Sequence, residues 1–166
     1  MKILSLIVAV GICISSTVVS ASTQFAIEAL TKPGHVAIMR HAIAPGTGDP
    51  ANFSVGDCST QRVLSAEGKE QAKQIGDFLR ENGGVQSMQV YSSQWCRCLD
   101  TAQLLNFGDV TELPMINSFF NQWETKESQT RDTLNWLREL NADAPVMLVT
   151  HQVNICLLYT SDAADD

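Results

Sequence analysis

The sequence predicts an α/β protein with three layers, α/β/α, built on a mostly parallel sheet with helices on both faces. Two short aliphatic runs, His35-Val-Ala-Ile-Met-Arg40 and Val146-Met-Leu-Val-Thr150, have the uninterrupted apolar character of strands buried on both faces. Between them the periodicity alternates between strand-like and helix-like segments, as successive βαβ units require. Each run is followed directly by a histidine, His41 and His151, and the chain has only three histidines. In an open α/β sheet ligands bind outside the carboxyl ends of the strands, so both imidazoles stand where a site would form.

The first strand, His35–Arg40, is entered from the turn signal Lys32-Pro33-Gly34. It runs into a segment over 42–60 whose Pro45-Gly46-Thr47-Gly48-Asp49-Pro50 is rich in turn residues and whose length exceeds what a connection needs, which marks a functional loop. Ser65 is a suitable N-cap for a helix through about Asn82, with Ala72, Ile75, Gly76 and Leu79 on one face and Gly83-Gly84 ending it. Met88–Tyr91 reads as a strand, and Ser92-Ser93 leads into a second helix with the stripe Trp95, Cys98, Leu99, Ala102 and Leu105. A third helix, roughly Glu127–Leu140, carries Leu134, Leu137 and Leu140 before the strand at Val146. The crossovers between parallel strands should be right-handed.

A chain of 166 residues with 45% hydrophobic content and no low-complexity segment is expected to form one domain. Residues 1–21 read as a signal peptide: Lys2, the apolar stretch Ile3 to Val19, then the small-x-small pattern Val19-Ser20-Ala21. The domain is therefore expected over 22–155 of a periplasmic or secreted protein, without stable membrane insertion once the signal is removed. Residues 156–166 resemble the translated adapter tails of assembled sequence fragments. They are expected to be non-native, with the C-terminal part of the domain missing after Ile155. Without both ends, ten basic residues face fifteen acidic ones, a net charge of −5 against −7 for the whole chain. An acidic surface repels polyphosphate backbones and argues against nucleic-acid binding, while leaving room for a small anion in a locally basic pocket. Cys58, Cys96 and Cys98 remain in the domain, and one bridge from Cys58 to Cys96 or Cys98 is expected in an oxidising compartment. A metal site at Cys96-x-Cys98 lacks the usual spacing between thiolate ligands.

Three strand ends thus bring together Arg40-His41, Ser92-Ser93 with Arg97 about one turn on, and His151. Arg97 falls in the first turn of its helix, where peptide N–H groups and the helix dipole favour an anion and a guanidinium adds a planar fork for phosphate oxygens. A cation there opposes the dipole, so a purely structural purpose is the less natural one. The constellation is an oxyanion pocket containing a potential nucleophile.

Through Arg40-His41-Ala42, Ser92-Ser93-Gln-Trp-Cys-Arg97-Cys-Leu-Asp-Thr101-Ala102 and Thr150-His151, the chain resembles the histidine phosphatase (phosphoglycerate mutase-like) superfamily over Val36 to Ile155. It looks most like a small, exported bacterial branch in which lipopolysaccharide-core heptose phosphatases also occur. The resemblance implies a phosphomonoesterase acting on a small phosphorylated substrate, with His41 as nucleophile forming a phosphohistidine that water hydrolyses. Arg40, Arg97 and His151 would complete the catalytic set by holding the phosphoryl oxygens, with Ser93 as a further phosphate-binding residue, and neither cofactor nor metal is implied. Two departures stand out. Ala42 replaces the family's usual glycine, which requires a negative φ there. The stretch after the third family strand, Leu113-Pro-Met-Ile-Asn-Ser118-Phe-Phe, has no carboxylate to act as general acid; Asp49 and then Glu124 are the substitutes considered. The alternatives are a non-catalytic phosphate-binding module of the same fold, or a phosphomutase, for which the 42–60 loop is the only evident lid. Trp95 and Phe119-Phe120 are expected in the core or pocket wall.

Overall fold

The computed structural model describes residues 27–32 and 34–162, so the expected signal peptide lies outside the described residues. Four parallel strands form one sheet: β1 (Val36–Arg40), β2 (Gln89–Ser92), β3 (Val110–Glu112) and β4 (Val146–Thr150), in the order β1-β4-β2-β3. β4 is flanked on both sides, with Arg40 opposite Thr150 and Ser92 opposite Val149. That register brings the ends of three strands level. All five residues of β4 are buried, which accounts for its unbroken apolar run.

Side chains of the strands alternate between two cores, as a period of two requires. On one face Ala37, Met39, Val90, Met147 and Val149 pack with Leu79, Cys98, Ala102 and Leu105; on the other, Val36, Ile38, Tyr91, Val146 and Leu148 pack with Ile116, Trp136 and Leu137. The helices supplying these residues are α1 (Ala66–Gly83), α2 (Cys96–Leu104) and α3 (Lys126–Glu139), so helices cover both faces as expected. A fourth, α4 (Gln152–Asp162), starts directly after His151 and passes Ile155 without a break.

The boundaries of α1 follow from its caps. The Ser65 hydroxyl accepts the Gly68 N–H, and Gly84 closes the helix at φ 63°. Gly76 is there for proximity: a Cβ at that position would lie 2.2 Å from the Leu105 carbonyl oxygen, so glycine lets α1 approach the end of α2. The strand β3 was not anticipated. It has three residues at the sheet edge, two of them exposed, and no apolar run to announce it. Two short 3₁₀ turns, Pro114–Ile116 and Trp123–Thr125, carry the chain from β3 across the mouth of the sheet to α3.

Candidate active site

His41 leaves β1 with its N–H bonded to the Thr150 carbonyl at 3.0 Å, which ties it to the end of β4. Its ring is buried. Nδ1–H donates to the Ala42 carbonyl at 2.8 Å, so in the neutral ring the lone pair is on Nε2. Arg97 points its Nε–H at that Nε2 from 3.3 Å. Burial, reinforced by the charges of Arg97, Arg40 and Arg62 and opposed by the bond to Ala42, lowers the His41 pKa from 6.5 to about 4. At neutral pH the imidazole is therefore uncharged, the state a nucleophile needs.

The Ala42 backbone is pinned by the Thr101 hydroxyl, which accepts its N–H at 3.0 Å and itself donates to the Arg97 carbonyl at 2.6 Å. Among the described residues Asn106 is the only non-glycine with positive φ, so Ala42 meets its condition without strain. The methyl group packs against Leu64 and Ala72.

His151 stands beside His41, ring centroids 5.6 Å apart and edge to face, with Trp95 at 5.4 Å on another side. Burial and then the charges of Arg97, His41, Arg62 and Arg40 lower its pKa to about 2. Its Nε2 lies 2.9 Å from the Ser93 oxygen. Ser93 gives its proton to Asn117 Oδ1 at 3.1 Å, leaving its oxygen to accept from His151 Nε2–H. Ser93 is thus not placed to touch phosphate: it is fully buried behind His151 and does not line the cavity. The free thiol of Cys98, also buried, contacts the same Nε2 at 3.5 Å; desolvation, partly offset by Arg97, pushes it up to about 12 and keeps it a thiol.

The helix N-terminus contributes differently from expectation. The Gln94 N–H goes to Asn117 Oδ1, the Trp95 N–H to Ser93 Oγ and the Cys96 N–H to Gln61 Oε1, so side chains already satisfy three of the peptide donors leading into α2. Positive charge in the site comes instead from guanidiniums. Arg40, Arg97 and Arg62 all line a cavity of about 720 Å³ with His41 and His151. Arg62 was not anticipated. Its Nε–H donates to the Gly48 carbonyl at 2.9 Å and Nη1 to that of Ala44, which folds the 42–60 loop over the site.

Asp49, at the centre of that loop, ion-pairs with Arg97 and lies 2.7 Å from Nη1. Burial works against its charge but is outweighed by hydrogen bonds from Arg97, Arg62 N–H and Trp95, and its pKa falls below the usual 3.8. It is held ionised. Glu124 is exposed on the turn before α3 and lies outside the cavity lining. Asn117, a second residue the sequence did not announce, does line it, in the stretch lacking a carboxylate. The expected disulfide joins Cys58 to Cys96 and fastens the loop to the start of α2.

Residues 36–130 match the family model for the histidine phosphatase superfamily, branch 1. The chain belongs to the histidine phosphatase superfamily. Its members are phosphatases and mutases. Solved structures with the same fold include a phosphohistidine phosphatase, SixA, of Agrobacterium tumefaciens, at 21% identity and TM-score 0.54 over 77% of this chain and 73% of that one. An α-ribazole-5′-phosphate phosphatase of Escherichia coli matches at 18% identity and TM-score 0.53, covering 76% and 79%. A mycobacterial glucosyl-3-phosphoglycerate phosphatase matches at 16% identity and TM-score 0.53, covering 76% and 80%. No curated protein matches the sequence significantly.

Proposed function

We propose that this protein hydrolyses small phosphate monoesters through a phosphohistidine on His41, in an oxidising compartment outside the cytoplasm. The observation that carries the reading is the neutral His41 ring, its tautomer set by Ala42 and its Nε2 facing the Nε–H of Arg97 at the wall of a cavity lined by three arginines. As the Arg97 Nε–H passes from Nε2 to a phosphoryl oxygen, Nε2 attacks phosphorus while the bond to the leaving oxygen breaks, and the leaving group departs with the electron pair and takes a proton from solvent. Water then attacks the phosphohistidine, releasing phosphate and restoring the neutral ring. Arg40, Arg62 and Arg97 stabilise charge on the non-bridging oxygens, while His151, neutral and with its Nε2–H given to Ser93, walls the pocket beside His41. Phosphatase names among the proteins of like fold support hydrolysis over transfer.

The charged and titratable residues of the lining are Arg40, His41, Asp49, Arg62, Arg97 and His151; the remainder is neutral and includes Phe53, Trp95, Asn117, Phe120 and Gln129. This favours one phosphoryl group on an otherwise uncharged body. With no protonated carboxyl in the cavity, leaving groups stable as anions should react best. Lipopolysaccharide-core heptose phosphates, suggested by the narrower resemblance, have no counterpart among the structures above and belong in the substrate panel. Export is supported by the signal-like N-terminus and the disulfide; no described helix is long and apolar enough to cross a membrane.

Protein incubated with a ³²P-labelled aryl phosphate and quenched in alkaline detergent should carry a base-stable, acid-labile label on His41, and His41→Ala should carry none. Wild-type turnover by His41→Ala would overturn the reading. Saturable phosphate binding without turnover of p-nitrophenyl phosphate would favour the non-catalytic module.

A further inference from the structure

Both oxygens of Asp49 are fully engaged. Oδ1 accepts the Arg62 backbone N–H at 3.0 Å and Arg97 Nη1 at 2.7 Å, while Oδ2 accepts Arg97 Nη2 at 3.1 Å and the Trp95 indole N–H at 3.3 Å. A carboxylate has about four acceptor positions, and here N–H donors occupy all of them. A proton to be passed to a leaving group has nowhere to sit. The same contacts take both terminal nitrogens of Arg97 in the two-pronged geometry that fixes a guanidinium in its plane. The nitrogen remaining, Nε, is the one directed at His41 Nε2. Asp49 has only 8% of its side chain exposed and Arg97 4%, so neither is a solvated surface partner.

Building on the proposed hydrolysis, we infer that Asp49 is a positioning residue: it clamps Arg97 from the 42–60 loop so that the Nε–H stands beside the attacking nitrogen, where a bound phosphoryl oxygen takes it over, and it does not protonate the leaving group. The clamp is itself held from behind by Trp95 and by the Arg62 backbone. Misplacing a group that aligns reactants by about 1 Å can cost roughly 10²-fold in rate, and this is the loss expected when the clamp is broken.

The test compares Asp49→Asn and Asp49→Glu with wild type on p-nitrophenyl phosphate, whose leaving group needs no acid, and on an alkyl phosphate, whose leaving group does. Positioning predicts that kcat/KM falls by a similar factor, about 10²-fold, on both substrates and in both variants, because Glu keeps a protonatable carboxyl but shifts it by one methylene. A loss confined to the alkyl phosphate, rescue by Glu, or no loss on either substrate overturns it. A readout independent of turnover is the Arg97 Nε–H resonance in ¹⁵N-edited NMR, assigned by its disappearance in Arg97→Lys. It should be slow to exchange in wild type and shifted and fast-exchanging in Asp49→Asn. A rapidly exchanging wild-type signal overturns the clamp even if neither variant folds, and so does a signal left unchanged in folded Asp49→Asn. Failure of His41 labelling would remove the hydrolase reading while leaving this measurement interpretable.

Discussion

At the scale of single residues, the proposed chemistry rests on keeping His41 uncharged among positive groups. With its pKa lowered to about 4, the ring stays neutral well below the pH at which an exposed histidine protonates. The acid limb of kcat/KM reports the essential base of the free enzyme, so it should fall near pH 4, with activity flat from there through neutrality. A pH–rate profile on p-nitrophenyl phosphate checks this, and a limb at 6.5 would mean a solvated ring. Arg40, His41, Arg97 and His151 were legible because each sits at a strand end or one turn beyond, where sequence order alone reports proximity. Arg62 and Asn117 were not. They reach the cavity through a loop and a 3₁₀ turn whose paths depend on tertiary contacts, and neither segment has a periodicity to read. Ser93 was placed one step too far forward: it follows β2 at the right height but is turned inward behind His151.

At the scale of elements, local rules were sufficient wherever an element was long or capped. The helix α1 combines 18 residues, a serine cap and a closing glycine, and its limits differ from expectation by about one residue. The edge strand β3 has three residues and pairs only because β2 is already in place beside it, so its own sequence carries little signal. The 42–60 loop was recognised as functional by its length, and the structure gives that length a physical reason: it must travel from β1 to Arg97 and be anchored there. Its staple, Cys58–Cys96, closes a 38-residue separation. Chain-entropy bookkeeping assigns such a closure about 4 kcal/mol. Urea unfolding with and without reductant should therefore differ by roughly that amount, provided the reduced form folds. Reduction should also lower turnover under conditions where far-UV circular dichroism shows a folded chain, because Asp49 rides on the stapled loop. Unchanged stability and turnover would show that the loop is held by its hydrogen bonds alone.

At the scale of the whole molecule, the two site histidines couple function to stability. Both have folded-state pKa values below 6.5, about 4 for His41 and about 2 for His151, so in the window below 6.5 the unfolded chain binds more protons than the folded one. Stability is then complete above pH 6.5 and is lost progressively as pH falls towards 4, with Asp49, depressed below 3.8, adding its loss only in stronger acid. Calorimetric Tm values in phosphate-free buffer at pH 7, 6, 5 and 4 should decline in that order, whereas a flat series would show that burying neutral imidazoles has no energetic consequence. The strand order carries a different lesson. In β1-β4-β2-β3, the strand leading to His41 pairs, among the described residues, only with β4, and β4 is the last of these four strands in the chain. While the polypeptide is being made, β1 has no ladder partner until residues 146–150 have left the ribosome. The sheet, and with it the cavity at its strand ends, cannot close ahead of that moment. Until then the residues between β1 and β4 are made with no complete sheet to fold around, so the order of the strands in space sets the order in which the site can assemble.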